Sequence, residues 1–228
     1  MRFSAIQRPV PPSLRWILPF AAFMAALAAA PALGLSPRVE LAVRLLLPLA
    51  AILLVSLPVL SFRPRYALAS AALGAAVFAI WIAPDLLIPG WREHWIFQNA
   101  LTGKLESSLP LESHSDPLIL FMRIARAVIV VPLAEELFWR GWMMRWLIHH
   151  DFQSVPLGAY RRDSFWITAL LFAAVHGPYW EVGLITGAVY NGWMVRTKSL
   201  ADLVLAHAVT NGCLAAFVLA TKRWEYWL

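Results

Sequence analysis

Six stretches of this chain run without a single Asp, Glu, Lys or Arg: 16–37, 45–62, 66–84, 164–180, 182–195 and 203–221. Their lengths are 22, 18, 19, 17, 14 and 19 residues. A helix needs about 20 mostly apolar residues to cross the hydrocarbon of a bilayer. Five of the six approach that length, and the short one, 182–195, can be extended by snorkelling side chains. Composition agrees. The chain is 61% hydrophobic and 14% charged, whereas a soluble domain is about 45–50% apolar and about 25% charged. These values exclude a disordered tail, a collagen-like chain and a solvated coiled coil. The expected fold is all-α: a polytopic transmembrane helical bundle of seven or eight helices, with residues 1–228 forming one membrane domain.

The net charge of +6 reads differently in a membrane protein than in a soluble one. Lys and Arg concentrate in cytoplasmic loops, and no basic run or basic helix face points to nucleic acid. With seven spans and the N-terminus inside, segments 1–15, 63–65, 145–163 and 196–198 carry ten basic residues. The opposite segments carry five. That asymmetry predicts a multi-pass protein of the cell (inner) membrane with a cytoplasmic N-terminus. The first apolar run exceeds a signal h-region of about 7–15 residues, so an uncleaved first helix is expected. Segment 91–109 is expected as an interfacial helix, because Trp91, Trp95, Leu101, Leu105 and Leu109 recur at helical spacing. The tail 224–228 is aromatic enough for a headgroup layer. Cys213 is the one cysteine, which excludes an internal disulfide.

Segment 116–150 is apolar but charged, carrying Arg123, Arg126, Glu135, Glu136, Arg140 and Arg145. Ionisable groups near the middle of a span cost roughly 2.5–3.5 kcal/mol each on insertion scales, so they face the bundle interior or a water-filled cavity. An interfacial salt-bridged turn is the plain alternative. Against it, only the eight residues 127–134 precede the carboxylates uncharged, so a crossing helix must run through them. Glu136 and Arg140 are four apart and share a face. Glu135 is turned about 100° away and is the carboxylate left free to serve as a base. His176 ends the run Phe172-Ala173-Ala174-Val175-His176, and His207 and Asn211 are four apart. Each histidine alone is an ordinary packing residue. Three polar clusters in three apolar segments are best accommodated at one shared interior site.

Glu-Glu-x-x-x-Arg, then Phe-x-x-x-His, then His-x-x-x-Asn, in that order over 123–211, resembles the CPBP family. These are the CAAX prenyl protease and bacteriocin-processing type of intramembrane glutamate proteases. Stretches 130–141, 151–158 and 197–211 are similar to the exosortase-associated, CAAX-protease-related subgroup. The resemblance implies an intramembrane endopeptidase whose catalytic helical core is 118–220. Glu135 and His176 would activate water, His207 and Asn211 would stabilise the oxyanion, and Glu136 with Arg140 would hold the geometry. Its implied partners are membrane lipid, a membrane-associated protein or peptide substrate, and exosortase-system proteins. No cofactor is required by that mechanism, although Glu135, His176 and His207 are chemically suited to zinc. No His-Glu-x-x-His and no Gly-x-Ser-x-Gly stretch occurs, which disfavours zincin and hydrolase-type serine chemistry. Two readings from other classes stand beside this one. One is a non-catalytic scaffold or immunity factor of the same fold. The other is a transporter with an intramembrane ion site, although no internal repeat is present.

Overall fold

The computed structural model describes residues 11–227. Arg2, Arg8 and Leu228, counted above for orientation or for the tail, lie outside the described residues. Seven helices carry the architecture: α1 Leu14–Ala29, α2 Pro37–Val59, α3 Ala67–Leu87, α4 Pro117–Trp146, α5 Arg162–Ala174, α6 Trp180–Thr197 and α7 Leu200–Thr221. No β-strand forms among the described residues. Helices α2, α3, α4 and α7 are long and apolar enough to cross a membrane. Large apolar side chains stand outward on them, as at Leu54 and Leu68, which are 82% and 89% exposed. Water would penalise such a surface, and lipid matches it. The chain is a membrane protein.

Helix boundaries follow local chemistry more closely than they follow the uncharged runs. Helix α2 starts at Pro37, taking Arg38, Glu40 and Arg44 into its first turns. The Glu40–Arg44 ion pair, four residues apart, satisfies two of those charges. Arg38 donates from Nε to Asp116 at 2.8 Å. Asp116 also caps α4, accepting from the backbone of Leu118 and Ile119, with Pro117 at the first helical position. The Arg38 hydrogen bond holds the Asp116 carboxyl below its ordinary value.

The run 164–180 is not one helix. It ends as α5 at Ala174, and Gly177 at φ 54° with Pro178 turns the chain into α6. Pro178 cannot continue the α5 ladder. His176 therefore sits in a break between two helices. Segment 91–109 is also not the expected helix. Its one helical piece is the short turn Trp91–Glu93, and the rest is turns and irregular backbone, with Gly103 at positive φ. Tertiary partners outweigh its helical spacing. Arg92 is buried and bonded to Asp85 at 2.7 Å, to the carbonyl of Pro178 at 2.6 Å and to Glu181 at 2.7 Å. It ties this loop to the α5–α6 break.

Close helix contacts rest on small residues, as expected where lipid offers no hydrophobic drive to associate. Gly183 and Gly187 of α6 meet Ala173 and Ala169 of α5. A Cβ at Gly187 would lie 3.1 Å from the Ala169 backbone. Gly74 of α3 packs on the Ala206 carbonyl of α7 with no room for a side chain. Helix α4 contains two π-helical stretches, Arg126–Val130 and Leu137–Met143. In the first, Val131 donates back to the Arg126 carbonyl. The missing N–H of Pro132, just beyond, favours such a widened turn.

Candidate active site

The site is assembled around α4. Glu136 and Arg140 are fully buried and paired. Arg140 Nη1 donates to the Glu136 carboxylate oxygens at 3.3 and 3.2 Å. Arg140 uses its other nitrogens across the bundle, Nε to Asn191 Oδ1 at 2.8 Å and Nη2 to the Gly187 carbonyl at 3.2 Å. Its guanidinium lies 4.6 Å over the Phe172 ring. One side chain thus clamps α4 to α5 and α6. Asn191 completes the clamp by donating to the Phe165 carbonyl at 2.7 Å.

His207 of α7 reaches the same carboxylate, with Nδ1 2.8 Å from Glu136 Oε1. A carboxylate paired with Arg140 can only accept, so His207 Nδ1 carries the proton and Nε2 is left for other use. His176 follows the same logic. Its Nδ1 lies 2.6 Å from the Phe172 carbonyl, and a carbonyl can only accept. Both imidazoles are therefore oriented by Nδ1–H, each leaving Nε2 unused by these bonds. Trp81 packs edge-on against His176 at 5.4 Å, and Tyr190 lies 5.3 Å from the His207 ring.

Glu135 differs from its neighbour. It is 6% exposed, and its Oε2 has no hydrogen-bond partner among the described residues. Asn211 is half-buried and donates one Nδ2 hydrogen to the Ala127 carbonyl at 2.7 Å. The second amide hydrogen remains available.

A cavity of about 540 Å³ is lined by Glu135, His176, His207 and Asn211 together. Glu136 and Arg140 are not among its lining residues; they stand behind it, against His207. Along α4 the cavity wall is the stripe Arg123, Ala127, Val131 and Glu135, each four residues apart. Phe20, Phe23, Met24 and Leu27 of α1, Trp81 of α3 and Phe172 of α5 add apolar wall. Among the described residues no three His, Cys, Asp or Glu side chains are grouped so as to hold a metal ion. The set Glu135, His176 and His207 is thus not gathered as ligands here. A carboxylate, two oriented imidazoles and an amide donor around one shared cavity are groups that can supply the base and the donors acyl transfer to water requires.

Sequence reading missed Asn191 and Gly187, which complete the Arg140 clamp. Asn191 lies inside the uncharged run 182–195, and an amide in an apolar helix is itself a pointer to the bundle interior. It also missed Asp202, which is buried and accepts from the backbone of Arg65 and Tyr66 and from Ser70 Oγ, fastening the start of α3 to α7.

No curated protein and no solved structure matches the chain. Residues 117–213, from the start of α4 into α7, match the family model described as type II CAAX prenyl endopeptidase, Rce1-like.

Proposed function

We propose that the protein is an intramembrane endopeptidase that hydrolyses a peptide bond with water activated by Glu135. The observation that carries this reading is the shared cavity of Glu135, His176, His207 and Asn211, in a segment similar to a peptidase family. Glu135 takes a proton from water as the oxygen attacks the scissile carbonyl. The carbonyl π electrons move to oxygen, giving a tetrahedral oxyanion. Asn211 donates its second amide hydrogen to that oxygen, and His207, held by Glu136, is the second group that stabilises it. The C–N bond then breaks as the proton held by Glu135 passes to the leaving nitrogen, yielding a new carboxyl and a new amino terminus. His176 accepts a hydrogen bond from the attacking water at Nε2 and aligns it. Glu136 and Arg140 do not touch substrate. They are positioning residues that fix His207.

The orientation we infer places the N-terminus and segment 145–163 on the cytoplasmic face of the inner membrane. Similarity over 130–141, 151–158 and 197–211 supports an association with exosortase-system proteins, whose membrane-anchored clients then become candidate substrates. The reading is tested by co-expressing such membrane proteins with the wild-type chain or with Glu135→Ala. Shortened products are expected with the wild type alone. Equal products from both would refute the assignment of Glu135. No product from either, with a phenotype that survives Glu135→Ala, would identify a scaffold.

A further inference from the structure

One guanidinium in this cavity keeps two nitrogens without a hydrogen-bond partner among the described residues. Arg126 is 2% exposed, it lines the same cavity as Glu135, and its Nε and Nη1 have no hydrogen-bond partner among the described residues. Two other buried arginines are held more fully. Arg140 bonds through all three nitrogens, and Arg92 is held by Asp85 and Glu181. A guanidinium removed from water without an acceptor is strongly unfavourable, and an anion restores the loss through a bidentate bond. The surroundings also favour an anion. Arg123 and Lys104 line the cavity as well, so three basic side chains face the two carboxyl groups of Glu106 and Glu135.

Position on the helix specifies the arrangement. Arg126 precedes Glu135 by nine residues of α4, about 13 Å of axial rise. In an uninterrupted α-helix nine residues would place the two on opposite faces. The π-helical stretch Arg126–Val130 changes that phase, and both residues reach the one cavity. Between them the wall is Ala127 and Val131, small enough to leave room for a chain. A peptide lying along this wall spans the gap with three or four residues at roughly 3.3 Å each.

We propose that Arg126 is the binding residue for a carboxylate of the peptide substrate, held several residues from the bond that Glu135 attacks. This rests on the peptidase reading above. The carboxylate can belong to the chain terminus or to an acidic side chain, and the test separates the two.

The test uses the full-length chain carrying Glu135→Gln, reconstituted in nanodiscs, so that binding is read without turnover. The probes are a fluorescent apolar octapeptide with a free C-terminal carboxylate, the same peptide amidated, and the amide with one internal Asp. The acid should bind about ten-fold tighter than the amide or better, as expected for a charge-assisted bidentate contact. Adding Arg126→Gln should erase that difference, and Arg126→Lys should keep part of it. Recovery of tight binding by the internal Asp would identify a side-chain carboxylate as the ligand. Equal binding of acid and amide to the Glu135→Gln protein overturns the proposal, whether or not the Arg126 variants fold. So does an acid preference that survives Arg126→Gln. An effect of Arg126→Gln confined to stimulation by phosphatidylglycerol would assign the site to a lipid phosphate and overturn it as well. Wild-type cleavage of the same peptides distinguishes the two readings. Arg126-dependent binding with no cleavage would sink the peptidase reading alone, and cleavage with no acid preference would sink the carboxylate site alone.

Discussion

Two adjacent glutamates on α4 differ sharply in partnership, and that difference makes separable predictions. Glu136 is held by Arg140 and His207, whereas Glu135, at the cavity wall, keeps an oxygen without a partner among the described residues. Glu136→Gln strands the Arg140 charge in the interior, a change that costs roughly 3–5 kcal/mol. Its thermal melt in detergent should fall, and activity should fall with it. Asn211→Ala loses one bond to the Ala127 carbonyl, about 1 kcal/mol. It should stay folded while turnover drops by roughly 10²–10³, the scale of one oxyanion donor. Parallel melts and rates on the same purified variants check both. Spacing made the Glu136–Arg140 pair legible, because four residues on a helix fix a face. The His207–Glu136 bond joins residues 71 apart in sequence, and only the tertiary fold brings them together. Asn191 escaped notice because it bears no charge, although its hydrogen bonds to Arg140 and the Phe165 carbonyl tie helices together as an ion pair would.

At the scale of elements, the site depends on the close fit of α5 against α6. Gly187 both meets Ala169 at the helix crossing and offers its carbonyl to Arg140. Gly187→Val should push the helices apart and cost about 1–3 kcal/mol through overpacking. A lowered unfolding midpoint would check it, and an unchanged one would show that the crossing relaxes freely. The uncharged runs made three of the four long helices legible, α2, α3 and α7, whereas α4 was legible only because its charges recur at helical spacing in an apolar segment. The runs did not show where helices start and stop. Helix α2 extends back through Arg38, Glu40 and Arg44 because those charges find partners. The run 164–180 breaks at Gly177-Pro178, a signal that local turn chemistry carries and hydropathy does not. The loop 91–116 defeated its own helical spacing because the buried Arg92 pairs with carboxylates from outside it.

For the whole molecule, orientation is the claim with the widest consequences. Two arginines that entered the charge tally prove to be interior groups. Arg145 donates to the carbonyls of Val155 and Gly141, and Arg92 belongs to the Asp85–Glu181 cluster. One comes from each side of the tally, so the cytoplasmic bias persists. Arg161→Cys in a Cys213→Ala background should be labelled by a membrane-impermeant maleimide only after the cells are opened. Labelling of intact spheroplasts from outside would invert the topology. Function at this scale reduces to one cavity served by α4, α7 and the break between α5 and α6. The most direct measurement is the rate at which new peptide termini form in nanodiscs holding wild-type protein or Glu135→Gln, with melting followed on the same samples. Matched melting is expected, with a rate lowered on the order of 10³ or more, toward the upper part of the range for loss of a general base. Matched melting with matched rates would show that Glu135 is not the base.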